Sequence, residues 1–112
     1  MIGAAFEPGS SVLLYLHSPR EKVLGVLLSL QSAGIVVRGI DLAAFDDWVR
    51  QEARGETPGL SLVTLFYPMH RVERMERDET LGGLEGFADR FRRETGRSLL
   101  AAAGVSTRRT RR

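Results

Sequence analysis

The chain has no cysteine, which excludes disulfides and thiolate metal sites and makes a cytoplasmic setting the natural expectation. It also lacks any apolar run approaching the roughly 20 residues of a membrane span, so no membrane partner is expected. Met1 to Glu7 carries no basic start of a secretory leader. Histidine is scarce. His17 and His70 are the only near-neutral acid–base groups, and they are too isolated to read as a metal pair or a catalytic dyad. No serine sits in a Gly-x-Ser-x-Gly setting, and Gly82-Gly83-Leu84-Glu85-Gly86 lacks the lysine and hydroxyl of a phosphate loop. Asp46 and Asp47 are adjacent, so on a helix they diverge by about 100° and cannot address one reacting atom. The expectation is a non-enzymatic protein with no catalytic residue, no cofactor and no metal.

Lysine is nearly absent as well. Fifteen of the 16 basic residues are arginine, a bias that the codons of a GC-rich genome produce. The net charge of +2 hides an uneven distribution. Residues 41–80 hold five basic and nine acidic groups, and residues 81–112 hold eight basic and three acidic. Four of those eight are Arg108, Arg109, Arg111 and Arg112, and without them the body carries −2. A body so balanced offers no wide phosphate-binding surface. The four terminal arginines are therefore the candidate nucleic-acid contacts. The 112 residues fit one domain over 1–104, followed by a basic, disordered tail over 105–112.

What is present is a strong strand pattern. Ser11 to His17 alternates Val12, Leu14 and Leu16 against Leu13, Tyr15 and His17, apolar on both faces. Val23 to Ile40 reads as a hairpin around Gln31-Ser32-Ala33-Gly34, with Leu24, Val26, Leu28 and Leu30 on one face of its first strand. Gly25 removes a side chain in mid-strand, as a sharp bend requires.

The period then changes. Leu42, Phe45, Val49 and Ala53 recur at helical spacing over Asp41–Arg54, with Asp41 as N-cap and Trp48 beside the stripe. Leu60–Tyr67 is strand again, and His70–Arg77 is read as a short charged edge strand. Leu84, Phe87, Ala88 and Phe91 form a last helical stripe over about 84–95, and Ser98–Gly104 adds a further helical turn. The expected order is β-β-β-α-β-β-α, a mainly β fold with helices (α+β). Its sheet is expected to be small, antiparallel and strongly bent.

Short bent strands in a meander with Gly25 and Leu27 in the second strand resemble the Sm-like barrels, the fold of the RNA chaperone Hfq and the Sm proteins. The likeness spans Val12 to Arg77 with the 41–54 helix as an insertion, and Leu65–Val72 as the tight link between the last strands. That resemblance implies a small β-barrel, a ring-shaped homo-oligomer and RNA as partner. The family's acidic residue falls on Gln31 and its Met-Asn pair on Gly34-Ile35, so its RNA-binding loop does not carry over. The arginine bias also makes the chain similar to short proteins of GC-rich bacteria.

Three functions follow as expectations: an oligomeric small-barrel binding module, an Sm-like RNA-binding regulator, or an adaptor docking a partner through the 41–54 helix. Trp48, Phe66 and Tyr67 are the candidate interface residues. With Tyr15 they are also the rings available for base stacking.

Overall fold

The computed structural model describes residues 6–56 and 61–105. Five antiparallel strands form one sheet: β1 (Ser11–Leu16), β2 (Glu21–Gln31), β3 (Gly34–Asp41), β4 (Val63–Pro68) and β5 (Val72–Arg77). Their order across the sheet is β4-β3-β2-β1-β5, so β4 and β5 are its two edges. Three α-helices complete the fold among the described residues: α1 (Phe45–Ala53), α2 (Phe87–Thr95) and α3 (Leu99–Ala103). The α+β class and the bent antiparallel sheet are as the sequence predicts.

Connectivity forces the sheet to curl. A flat five-stranded sheet would separate its edges by about 19 Å, four spacings of about 4.8 Å. Here β4 and β5 are joined only by the 3-10 turn Met69–Arg71, whose three residues rise about 6 Å. The turn is tied to both neighbouring hairpins: Met69 N–H donates to Ala33 O and His17 N–H to Arg71 O, each at 3.0 Å.

Glycine permits the bend. Gly25 on β2 pairs with Gly39 on β3. A Cβ at Gly25 would lie 3.0 Å from Arg38 O, and one at Gly39 would lie 2.8 Å from Leu24 O. Both glycines belong to the concave face, two residues along the strand from Leu27 and Val37, where strands crowd together as the sheet rolls. The barrel itself is corrected, however. Among the described residues no ladder joins β4 to β5, so the sheet stays open.

A buried cluster lies on each face of the sheet. The concave face holds Val12, Leu14, Leu16, Val23, Leu27, Ile35, Val37 and Tyr67, with Phe6 packed against them. The convex face presents Leu24, Val26 and Ile40 to Phe45, Trp48 and Val49 of α1, Phe91 of α2, and Leu99 and Ala103 of α3. This double burial is why β1 and β2 are apolar on both faces.

Several local expectations change. A bulge at Leu28 shifts the β2–β3 register between Leu27 and Ser29, so the alternation through Leu28 and Leu30 breaks and Leu30 is 38 % exposed. Asp41 ends β3 and makes no side-chain cap; a 3-10 turn over Leu42–Ala44 separates it from α1. Leu84 is outside α2, in a tight bridge with Leu81. The 84–95 helix begins at Phe87, and Ser98–Gly104 is a separate helix, α3, whose N-terminus is capped by Ser98 Oγ accepting from Ala101 N–H at 3.0 Å. The edge strand expected over His70–Arg77 is present as β5 from Val72.

Candidate functional site

The two edges of the sheet differ in chemistry. β4, Val-Thr-Leu-Phe-Tyr-Pro, carries no charge, and its Val63 and Phe66 are 51 % and 57 % exposed. β5 alternates charge, with Glu73, Arg74 and Arg77 exposed and Val72 and Met75 half-buried beneath. An uncharged edge is the kind that accepts another strand, and a charged one resists indiscriminate pairing.

The end where these edges converge is clamped by Arg71. Its Nε donates to His17 O at 3.1 Å, and its Nη2 donates to Pro19 O at 2.7 Å and to Glu21 Oε2 at 3.1 Å. Its guanidinium also lies 5.7 Å from the Tyr67 ring centroid. One side chain thus ties the Met69–Arg71 turn to the β1–β2 turn and to the concave core. Burial and the charge of Glu21 raise the pKa of the Tyr67 phenol, which keeps the neutral form at this junction.

On the convex face, beyond the helices, Tyr15 stands between two cations. Arg74 on β5 is 4.2 Å from its ring centroid and Lys22 on β2 is 5.7 Å away. The Tyr15 hydroxyl donates to Glu76 Oε1 at 3.2 Å, and Arg74 pairs with the same carboxylate at 2.9 Å. Lys22 also borders a shallow pocket of about 420 Å³ with Arg20, Glu21, Asp41, Leu42 and Ala43. Its two cations face two carboxylates, so it has no net charge to select an anion.

The residues singled out from sequence are dispersed. Phe66 is at the surface on β4. Tyr67, its neighbour, points into the concave core and is 9 % exposed. Trp48 is 1 % exposed, with its ring stacked on Phe91 at 4.7 Å and 17°. It is core rather than interface: α1 turns its apolar stripe, tryptophan included, onto the sheet. The adaptor expectation loses its anchor with it. Arg108, Arg109, Arg111 and Arg112 lie outside the described residues.

His17 and His70 are both exposed and belong to different turns. Among the described residues no group of three His, Asp or Glu side chains is arranged to hold a metal. No helix among them is long and apolar enough to cross a membrane. Sequence reasoning missed the Arg71 clamp and the exposed pair Leu81 and Leu84. Only the Gly82-Gly83 turn between those leucines signalled that they would be held out together.

No family model, no curated protein and no solved structure matches the chain.

Proposed function

We propose that the chain is a non-enzymatic binding module that assembles with copies of itself through the free edge of β4. The observation that carries the reading is the uncharged strand Val63–Pro68, unpaired on its outer side among the described residues, with Val63 and Phe66 more than half exposed. A second copy's β5 would cover it, a heterologous contact that closes into a ring when the rotation permits. The order β4-β3-β2-β1-β5, with the outer strands linked by a 3-10 turn, supports an Sm-like relationship and a module of that kind. Light scattering across a range of concentrations tests it. Oligomers that Phe66→Glu reduces to monomers are expected, and a monomer at every concentration overturns the proposal.

A second reading, RNA as the ligand, is favoured by the Lys22–Tyr15–Arg74 row, where an aromatic ring lies among cations on three adjacent strands. Gly34 argues for a different site from that of the Sm-like family. A side chain there would meet Tyr67 O at 2.4 Å and the Phe66 ring at 2.7 Å. Single-stranded RNA oligonucleotides should bind at low salt, weaken with added salt, and bind less to Tyr15→Ala. Absence of binding at low salt removes this reading.

A further inference from the structure

The outer sides of β4 and β5 are unpaired among the described residues, and each edge has features that the other matches. On β4, Val63 and Leu65 are opposite Gly39 and Val37 of β3, so they carry the apolar concave face to the rim. On β5, Met75 and Val72 do the same opposite Leu14 and Leu16 of β1, and both are half-buried. Val63 and Leu65 are two residues apart along the chain, whereas Val72 and Met75 are three apart. The extra residue is Glu73, at the bulge between the Leu16–Val72 and Tyr15–Arg74 pairs. Two charges beside these edges lack a partner of opposite sign among the described residues. Arg38, opposite Thr64, donates from Nη1 to Ala103 O at 2.6 Å, and its buried Nε has no acceptor. Glu73 is exposed and has no cation of its own.

We infer that a second copy's β5 covers β4 antiparallel and in a single register, with the second copy's Met75 beside Val63 and its Val72 beside Leu65. Resting on the assembly proposed above, this register adds what selects the partner strand. Val63, Thr64 and Leu65 then stand to β5 on its outer side as Leu14, Tyr15 and Leu16 do on its inner side. The bulge falls on Thr64, a short side chain. The second copy's Glu73 comes within two strand spacings of Arg38, about 10 Å between backbones, which the two long side chains bridge together. A slip of one residue sends the apolar side chains to the wrong face. A slip of two that sets Met75 beside Leu65 leaves Val63 against Arg77 and moves Glu73 beside Phe66, whose neighbour on β3 is the uncharged Val36. The opposite slip runs off β5 into the Met69–Arg71 turn. The apolar row supplies the burial, and the Arg38–Glu73 pair fixes the register.

The chain has no native cysteine, so single substitutions report the register. Chains with Val63→Cys are mixed with chains with Met75→Cys and mildly oxidised, so that the heterodimer forms only by contact between copies. Its yield should be about tenfold that of Leu65→Cys mixed with Met75→Cys, because facing Cβ atoms lie about 5 Å apart and diagonal ones about 7–8 Å. Thr64→Cys mixed with Glu73→Cys, both at exposed positions, should link as well and leaves the core untouched. Adding Glu73→Arg should lower the Val63–Met75 yield about fivefold, as repulsion replaces an ion pair. Unmodified chain that scatters as a monomer at every concentration overturns the assembly and the register together. Assembled chain that links Leu65 to Met75 as readily as Val63 to Met75, or that is indifferent to Glu73→Arg, overturns the register and leaves the assembly standing.

Discussion

The amide of Phe87 donates to Asp78 Oδ1 at 2.7 Å, and the next amide, Ala88, donates to Oδ2 of the same carboxylate at 2.8 Å. Helix α2 has glycine at its own N-cap, Gly86, which has no side chain to offer. The cap is therefore supplied from the end of β5, and it fixes the helix to the sheet edge. Asp78 Oδ2 also accepts from Ser11 Oγ at 2.8 Å, which adds β1 to the junction.

Asp78→Ala should cost about 1–2 kcal/mol, the usual range for removal of a capping side chain. Urea unfolding gives the total. Amide exchange at Phe87 and Ala88 locates it, and unchanged protection at those two amides would show that the cap contributes nothing.

Trp48→Ala should destabilise by about 3–5 kcal/mol, because the Trp48 ring is sandwiched among Phe45, Phe91 and the convex face of the sheet. Denaturant titration is the check. A loss below about 1 kcal/mol would mean that the ring's neighbours repack without it.

Gly25→Ala should cost about 1–3 kcal/mol by overpacking, since the new methyl meets Arg38 O at 3.0 Å and Val37 Cβ at 3.2 Å in the tightest part of the curl. Gly55→Ala differs in kind, having open space but a φ of +71°. Comparing the thermal midpoints of the two variants separates crowding from backbone strain. Enhanced stability of Gly25→Ala would show that the sheet need not close so tightly there.

The Tyr67 phenol has its pKa raised by burial, aided by the charge of Glu21. Unfolded, this group titrates near its ordinary value of about 10. The folded chain holds its proton longer, so its contribution to stability is complete below that pH and is lost as pH rises through the folded pKa. Wild-type stability should therefore decline on the alkaline side, and Tyr67→Phe should flatten part of that decline. Equal alkaline slopes for the two proteins would remove Tyr67 as the cause.

Strand identity was legible in the sequence because alternation and β-branching act within a few residues of each other. Val12, Leu14 and Leu16 announce β1, and Gly25 marks the bend. The edge role of β5 was equally visible in its charges. The bulge at Leu28 was not, since leucine suits either face and only the pairing with Val36 and Val37 shows which residue is extra. Leu84 read as helix because it continues the spacing of Phe87 and Phe91. It lies outside because Asp78 starts the helix three residues later.

By itself the sequence determined the α+β class, the meander of the first three strands, a helix between the third and fourth strands and the charged edge of β5. All of these rest on periodicity, glycine placement and charge along a short stretch of chain. Only the tertiary structure decided that Trp48 is core, that the sheet curls yet stays open, that Arg71 closes its end and that Asp78 caps α2. Each of those depends on residues 9 to 54 positions apart meeting in space. Such meetings are selected by packing and hydrogen-bond geometry across the whole fold, which no local pattern encodes.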